Sequence, residues 1–190
     1  MSVEQAISDI QKLTKMHDCV LVGIDGAGGS GKSTLAKQIA DALDATLIHS
    51  DHFYKTDDRR GGAHQSETVI SNKFDWQLLQ KKVFNNAKQG SVVRYQPYSW
   101  DIEGLLPHIE HVVKKVLIIE GVYALQDLFV DQYQYKIWVD VSQNIRLQRG
   151  VARDGEHMRQ AWETLWLPQD KRYFETHRPD VRADLIIVNN

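Results

Sequence analysis

The fold is decided by the run Gly26-Ala27-Gly28-Gly29-Ser30-Gly31-Lys32-Ser33, which matches the Walker A pattern G-x-x-x-x-G-K-S/T in full. The apolar residues 19–24 precede it and predict a strand. Lys32 to Leu43 follows it, with good helix formers and with apolar residues on one face. A strand, a glycine-rich turn and a helix in this order are the context that supports a phosphate-binding loop.

The chemistry of the loop explains its residue types. Glycines let successive backbone N–H groups turn inward around phosphates, and the helix that begins near Lys32 points the positive end of its dipole at the same anion. We expect Lys32 to reach the β- and γ-phosphates of ATP and Ser33 to bind Mg²⁺. The nucleotide-binding residues predicted here are Gly26, Ala27, Gly28, Gly29, Ser30, Gly31, Lys32, Ser33 and Thr34. The alternative is a loop that only connects strand and helix.

Length and composition predict one compact domain over residues 1–190. The chain has 190 residues, of which 42% are hydrophobic and 25% are charged, values close to those of globular proteins. Its formal net charge of -2 provides no basic excess for a phosphate polymer or an anionic membrane surface. We therefore expect neither nucleic acid nor a membrane as a main partner.

Cysteine usage and the start of the sequence predict a cytoplasmic protein. The only cysteine, Cys19, lies in an apolar run, where a buried spectator thiol is expected, and an unpaired cysteine suggests a reducing compartment. The sequence begins without a basic leader and an apolar core. No apolar stretch approaches the roughly 20 residues needed to cross a bilayer.

Further apolar runs predict the rest of a parallel sheet. Residues 116–119, 136–141 and 185–188 are continuously apolar and rich in β-branched side chains, as buried parallel strands are. Strands that alternate with helical segments predict an α/β fold, the three-layer P-loop NTPase fold, with a mostly parallel central sheet, helices on both faces and a helical lid. Other predicted elements are helices over 3–14 and 74–87, strands over 45–49 and 91–95, and a loop over 55–71.

Transfer of phosphate to a hydroxyl group needs more than this loop, because similar loops serve switches, motors and regulatory ATPases. It needs a carboxylate that accepts the hydroxyl proton, ligands for the metal, and cations that stabilise the spreading charge. Three further segments contain these residue types. They hold Asp51 after the second strand, Glu120 at the end of a later strand, and Arg146, Arg149 and Arg153 on one helical stretch.

In these features the sequence resembles the uridine kinase and phosphoribulokinase-like branch of P-loop kinases, especially its short bacterial members. The resemblance runs from Val20 to Asn189, with the motifs in the same order. It implies an ATP- and Mg²⁺-dependent kinase that phosphorylates a hydroxyl group of a small molecule. The motifs are residues 26–33, Asp51-His52-Phe53-Tyr54, Phe74-Asp75-Trp76, Tyr95-Gln96-Pro97-Tyr98-Ser99-Trp100, Ile119-Glu120-Gly121, residues 146–154 and Ala183-Asp184-Leu185-Ile186-Ile187.

The resemblance assigns roles to two carboxylates. It makes Asp51 the catalytic base, and a carboxylate at a strand end beside the loop is independently well placed for that role or for binding magnesium. It makes Glu120 a ligand of magnesium, directly or through water. The alternatives are a turn aspartate and a simple strand-ending polar residue. Asp25, just before the loop, could lie next to a magnesium-bound water or simply end its strand.

The resemblance also makes residues 142–160 a lid whose arginines reach the phosphates on closure. Arg149 and Arg153 share a helix face and are predicted to act in catalysis, and Arg146 is predicted to bind nucleotide. Closure would exclude water and limit wasteful hydrolysis of ATP. The alternative is a solvated helix face, which is the usual role of charges on helices.

The acceptor is predicted to be a nucleoside similar to uridine or cytidine. Asp75 and Tyr98 resemble the family's residues for the ribose and the base, and Phe53 is a third candidate, although aromatic residues at strand ends often only pack. The family pattern is broken at Ser99, at Gly150, where a second arginine is expected, and over residues 55–73. Nicotinamide riboside, a pantothenate-like compound or a sugar is the alternative acceptor, and a regulatory ATPase is the alternative class. A homo-oligomer is left open.

Overall fold

The computed structural model describes residues 2–56 and 73–190. Apart from Lys55 and Thr56, the predicted loop over 55–71 lies outside these residues, and it stays a prediction. The strands are β1 (Val20–Asp25), β2 (Thr46–His49), β3 (Val92–Tyr95), β4 (Tyr98–Ser99), β5 (Gly104–Leu105), β6 (Ile109–Val112), β7 (Val116–Glu120), β8 (Tyr135–Asp140) and β9 (Leu185–Val188). The α-helices are α1 (Val3–Leu13), α2 (Lys32–Leu43), α3 (Trp76–Leu79), α4 (Asn85–Ala87), α5 (Gln143–Asp154), α6 (Arg159–Ala161), α7 (Leu167–His177) and α8 (Pro179–Arg182).

The central sheet is parallel and has five strands in the order β2-β7-β1-β8-β9. Successive residues of β1 face opposite layers. Val22 and Ile24 pack with Ile39 of α2, whereas Leu21 packs on the other face in a cluster that contains Phe84. Burying each such side chain stabilises the fold by roughly 1.5–3 kcal/mol. The predicted three-layer α/β fold is confirmed.

Two segments differ from the predictions. Of the predicted strand over 91–95, residues Val92–Tyr95 form β3, which pairs antiparallel with β6 in a separate two-stranded sheet. Strand β6 was not predicted from the sequence, because its residues alternate between half-buried and exposed and form no continuous apolar run. The predicted helix over 74–87 is helical from Trp76 to Ala87, but Gln80–Phe84 is a π-helical turn between α3 and α4.

The structure also bears on the position of Cys19 and on membrane-spanning helices. Cys19 is half-buried just before β1 rather than inside it, because the strand begins at Val20. Across residues 2–56 and 73–190, no helix combines the length and the apolar character that a membrane span requires.

Packing explains why position 150, where the family pattern has an arginine, is a glycine in this chain. The indole ring of Trp162 is buried against α5, and a Cβ at position 150 would lie 2.3 Å from it. The same ring packs against Gly28 of the phosphate loop, where a Cβ would lie 3.0 Å away. The tryptophan therefore occupies the space that an arginine at position 150 would need.

We expect Gly150→Arg to destabilise the protein by about 1–3 kcal/mol, because the ring and the helix must separate to admit the side chain. Urea unfolding followed by circular dichroism would measure the free energy of unfolding. Gln148→Arg adds the same side chain at an exposed position of α5 and should change that energy by no more than about 0.5 kcal/mol. Equal and small effects of both substitutions would contradict this packing.

Candidate active site

The phosphate loop, Asp51 and Glu120 lie at the ends of three neighbouring strands. The phosphate loop follows β1, Asp51 lies in a 3₁₀ turn (Ser50–Phe53) after β2, and Glu120 ends β7. The register places Glu120 beside both Ile24 of β1 and His49 of β2. Because parallel strands end at the same edge of a sheet, these groups converge there.

The loop backbone has the shape that phosphate binding requires. Gly29 and Gly31 have φ values of 77° and 85°, in the left-handed region that favours glycine. Gly31 precedes α2, which begins at Lys32, and Asn189 donates from its side chain to the carbonyl of Ser30 at 2.8 Å. Lys32 is buried at the start of this helix. These features fit an anion held by backbone N–H groups and one ammonium group.

Ser33 and Glu120 lie together beside the loop. The Ser33 hydroxyl donates to Glu120 Oε2 at 3.1 Å, and the carboxylate is buried. Burial raises the pKa of Glu120, but the hydrogen bond from His49 and the charge of Lys32 outweigh it and hold that pKa below its ordinary value. A hydroxyl and an ionised carboxylate are oxygen ligands of the kind that Mg²⁺ prefers, so the residues fit this metal.

His49 is a member of the site that the sequence analysis did not identify. Its Nδ1 lies 2.5 Å from Glu120 Oε1, and this hydrogen bond raises the pKa of the imidazole. The charge of Asp51 contributes to the same shift. The signal in the sequence was the place of His49 as the last residue of a predicted strand, but its partner becomes clear only from the pairing of β2 with β7.

Asp51 lies within the electrostatic reach of the other charged groups. Although the residue as a whole is exposed to solvent, desolvation of its carboxyl by the surrounding protein raises the pKa of that group. The charge of Glu120 adds to the rise, and the charges of Lys32 and Arg153 oppose it. A carboxylate beside a lysine, an arginine and a second carboxylate has the surroundings expected of a base near a phosphoryl group.

The three arginines of α5 have different environments. The Arg146 guanidinium is buried and forms an ion pair with Asp170 at 2.8 Å. Arg149 donates to the carbonyl of Asn189 at 3.0 Å. Arg153 contacts Asp154 through two hydrogen bonds, of 2.6 and 3.0 Å, and lies over the Trp162 ring. Their roles, and the lid over 142–160, remain predictions.

The predicted acceptor residues divide into two groups. Phe53 and Asp75 line a cavity of about 140 Å³ together with His52, Lys82 and other residues. Phe53 is also part of the core, where the centroid of its ring lies 4.6 Å from that of Tyr95. Asp75 caps α3 by accepting a hydrogen bond from the N–H of Leu78 at 2.9 Å. Tyr98 packs among Tyr54 and Trp100 in a cluster of aromatic rings. Its role as a contact of the acceptor stays a prediction.

Asp25 is an anchor beneath the loop. Its fully buried carboxylate accepts from the N–H groups of Gly26, Tyr123 and Leu125 at 2.6, 3.1 and 2.9 Å, and from the Tyr173 hydroxyl at 2.5 Å. Four hydrogen bonds use the usual accepting capacity of a carboxylate. Of the two roles that the sequence left open for Asp25, the geometry therefore favours a structural one.

Asp25 makes stability depend on pH in a defined direction. Burial raises the pKa of its carboxyl to about 6, against the opposing effect of hydrogen bonds from Tyr173, Leu125 and Gly26. Between about pH 4 and about pH 6 the unfolded chain has therefore ionised this group while the folded protein has not. The contribution of Asp25 to the free energy of unfolding falls by about 3 kcal/mol as pH rises through this window, and stays level above it.

We expect the free energy of unfolding of wild type minus that of Asp25→Asn to fall by about 3 kcal/mol from pH ~4 to pH ~7, because the variant cannot titrate at this position. Urea unfolding at several pH values would measure the difference. The matched control is Asp18→Asn, which removes an exposed carboxyl from the surface. A difference between wild type and Asp25→Asn that is constant across the window would overturn the prediction.

The architecture and the loop define the class of protein: it has a P-loop fold, built on a parallel sheet with the Walker A loop after β1. The chain belongs to the Phosphoribulokinase / Uridine kinase family, which it matches over residues 21–164.

Individual relatives agree with this family. The chain is 31% identical over 147 residues to the uridine kinase of Saccharomyces cerevisiae, a match that covers 70% of this chain and 28% of that one. It is 27% identical over 157 residues to the uridine kinase of Macrococcus caseolyticus, covering 79% and 76% of the two chains. A structure described as a possible uridine kinase from Bacillus stearothermophilus shares the fold, with a TM-score of 0.69, 20% identity, and coverage of 98% of this chain and 100% of that chain.

Proposed function

We propose that this kinase transfers the γ-phosphate of ATP, with Mg²⁺, to a hydroxyl group of a small molecule, and that the acceptor is a nucleoside of the uridine or cytidine type. The observation that carries the proposal is the convergence of the loop, Asp51 and Glu120 at adjacent strand ends. The uridine kinases among the relatives support the choice of a nucleoside as acceptor.

In the proposed reaction the phosphates lie in the loop, held by backbone N–H groups and by Lys32. Ser33 and Glu120 would hold Mg²⁺, with Asp51 as a further candidate ligand, and the bound ion would neutralise charge on the phosphates. Asp51 accepts the proton of the acceptor hydroxyl as its oxygen attacks the γ-phosphorus, and the bond to the oxygen of ADP breaks. Arg153, with Arg149 and Arg146 on the same helix, stabilises the charge on the transferring group.

The acceptor would enter the cavity lined by Phe53 and Asp75, beside the turn that carries Asp51. Asp75, which caps α3, would accept hydrogen bonds from ribose hydroxyls. Tyr98 would contact the base from the aromatic cluster. A single domain over residues 1–190, with the lid over 142–160, completes the proposal.

The test is ATP turnover by the purified chain with magnesium across a panel of nucleosides, vitamins and sugars, with the phosphorylated product identified by mass spectrometry. We expect uridine or cytidine monophosphate to form. Product formed only from a sugar or a vitamin would show that the acceptor is not a nucleoside, but the protein would still be a kinase. Hydrolysis of ATP at the same rate with and without every acceptor would favour a regulatory ATPase and overturn the proposal.

A further inference from the structure

Helix α7 contacts the start of the phosphate loop through two side chains one turn apart. Asp170 Oδ2 accepts hydrogen bonds from the backbone N–H of Gly28 at 3.0 Å and from Arg146 Nη1 at 2.8 Å. Tyr173 donates to Asp25, which itself accepts from the N–H of Gly26. One helix therefore holds the loop at two points.

We propose that Asp170 is a positioning residue for nucleotide binding, which holds Gly28 of the loop and Arg146 of α5 in the arrangement that receives the polyphosphate. The inference rests on the proposed function, because it takes the loop to be the site of the nucleotide. Asp170 acts through these two groups and does not touch the reacting atoms.

The burial of the ion pair is the first argument. Asp170 and Arg146 are each 8% exposed. In the described part of the chain, Asp170 is the only side chain that pairs with the Arg146 guanidinium. A buried charge without a partner is strongly unfavourable, so removal of the Asp170 charge forces the arginine into another position.

The surroundings of Gly28 are the second argument. A Cβ at Gly28 would lie 3.0 Å from the Trp162 ring and 3.6 Å from Asp170 Oδ2, so the residue is enclosed between an indole and a carboxylate. The indole offers no hydrogen-bond acceptor. The direction of the Gly28 N–H is therefore set by Asp170, and a shift there changes the path of the backbone amides that follow.

The test compares the affinity for ADP with Mg²⁺, by isothermal titration calorimetry, among wild type, Asp170→Asn, Arg146→Gln and the double variant. We expect Asp170→Asn to raise the Kd for ADP about 10- to 100-fold, since the loss of a hydrogen bond to a charged group has an effect of that size. Because Asp170 acts partly through Arg146, the double variant should bind more tightly than the product of the two single effects predicts. The matched control is Glu175→Gln on the exposed side of α7, where Glu175 pairs with Lys171, and its Kd should equal that of wild type.

Further readouts separate positioning from a merely structural role. Circular dichroism establishes that each variant is folded at the temperature of the titration. If Asp170→Asn does not fold, Asp170→Glu, which keeps the charge but moves it by one methylene, should weaken ADP binding in the same direction. A folded Asp170→Asn or Asp170→Glu variant whose Kd for ADP lies within about twofold of wild type would overturn the inference. Wild type that binds ADP but phosphorylates no acceptor would contradict the proposed function alone, and the same titrations would still decide the role of Asp170.

Discussion

Asp51→Asn is expected to lower acceptor phosphorylation by about 10²- to 10⁴-fold while the Kd for ADP stays within about threefold of wild type. The amide keeps the shape of the side chain but cannot accept the hydroxyl proton. Initial rates with a saturating acceptor, together with calorimetric titration of ADP, would measure both quantities. Because the base must be ionised, wild-type activity should also fall as pH falls through the raised pKa of Asp51.

Asp140 provides the control for this prediction. Asp140 ends β8 at the same edge of the sheet and is exposed, so Asp140→Asn makes the same chemical change outside the proposed proton path. Its rate should be close to that of wild type. If Asp51→Asn kept more than about a fifth of the wild-type rate, Asp51 would not be the base.

Lys32→Met is expected to weaken nucleotide binding and to lower turnover by about 10²- to 10³-fold, because it removes a charged donor from the phosphate site but keeps much of the apolar stem. In wild type, the charge of Lys32 also lowers the pKa values of Asp51 and Glu120. The residual activity of the variant should therefore decline at a higher pH than that of wild type. Steady-state rates across a pH series would measure both effects.

The control for Lys32 lies on the same helix. Lys37 is exposed on α2 and pairs with Asp41, so Lys37→Met removes a lysine charge at the surface and should leave turnover unchanged. Nucleotide affinity in Lys32→Met within about threefold of wild type would contradict the assignment of the loop as the phosphate site.

Local signals in the sequence were sufficient for the central sheet and for the loop. Cys19 to Leu43 contains a strand, a glycine-rich turn and a helix in one continuous stretch, and residues 116–119 and 185–188 are apolar throughout. Periodicity and motif spacing report such elements because each is complete within a short window. Asp51 and Glu120 were predicted after or at the end of a strand, and the pairing of β2 with β7 in one parallel sheet brings these two strand ends together.

Contacts between distant segments could not be predicted in this way. Nothing near His49 indicates that it will pair with Glu120, and nothing near Trp162 indicates that its ring will pack on Gly28 and Gly150. The strand β6 carries no continuous apolar run because it pairs outside the central sheet. Side chains that complete a site from far along the chain leave no local pattern, so they become visible only when the fold is known.

The hydrogen bonds of Asp170 and Tyr173 to the loop region have a consequence for the order of folding. They join residues 142 and 148 positions apart in the sequence. During synthesis the ribosome produces the complete Walker A run long before it produces α7, and contacts of such high sequence separation form only after a large loop has closed. The nascent chain therefore carries the loop early, and it gains the hydrogen bonds from α7 only after Asp170, 142 positions beyond Gly28, has been made.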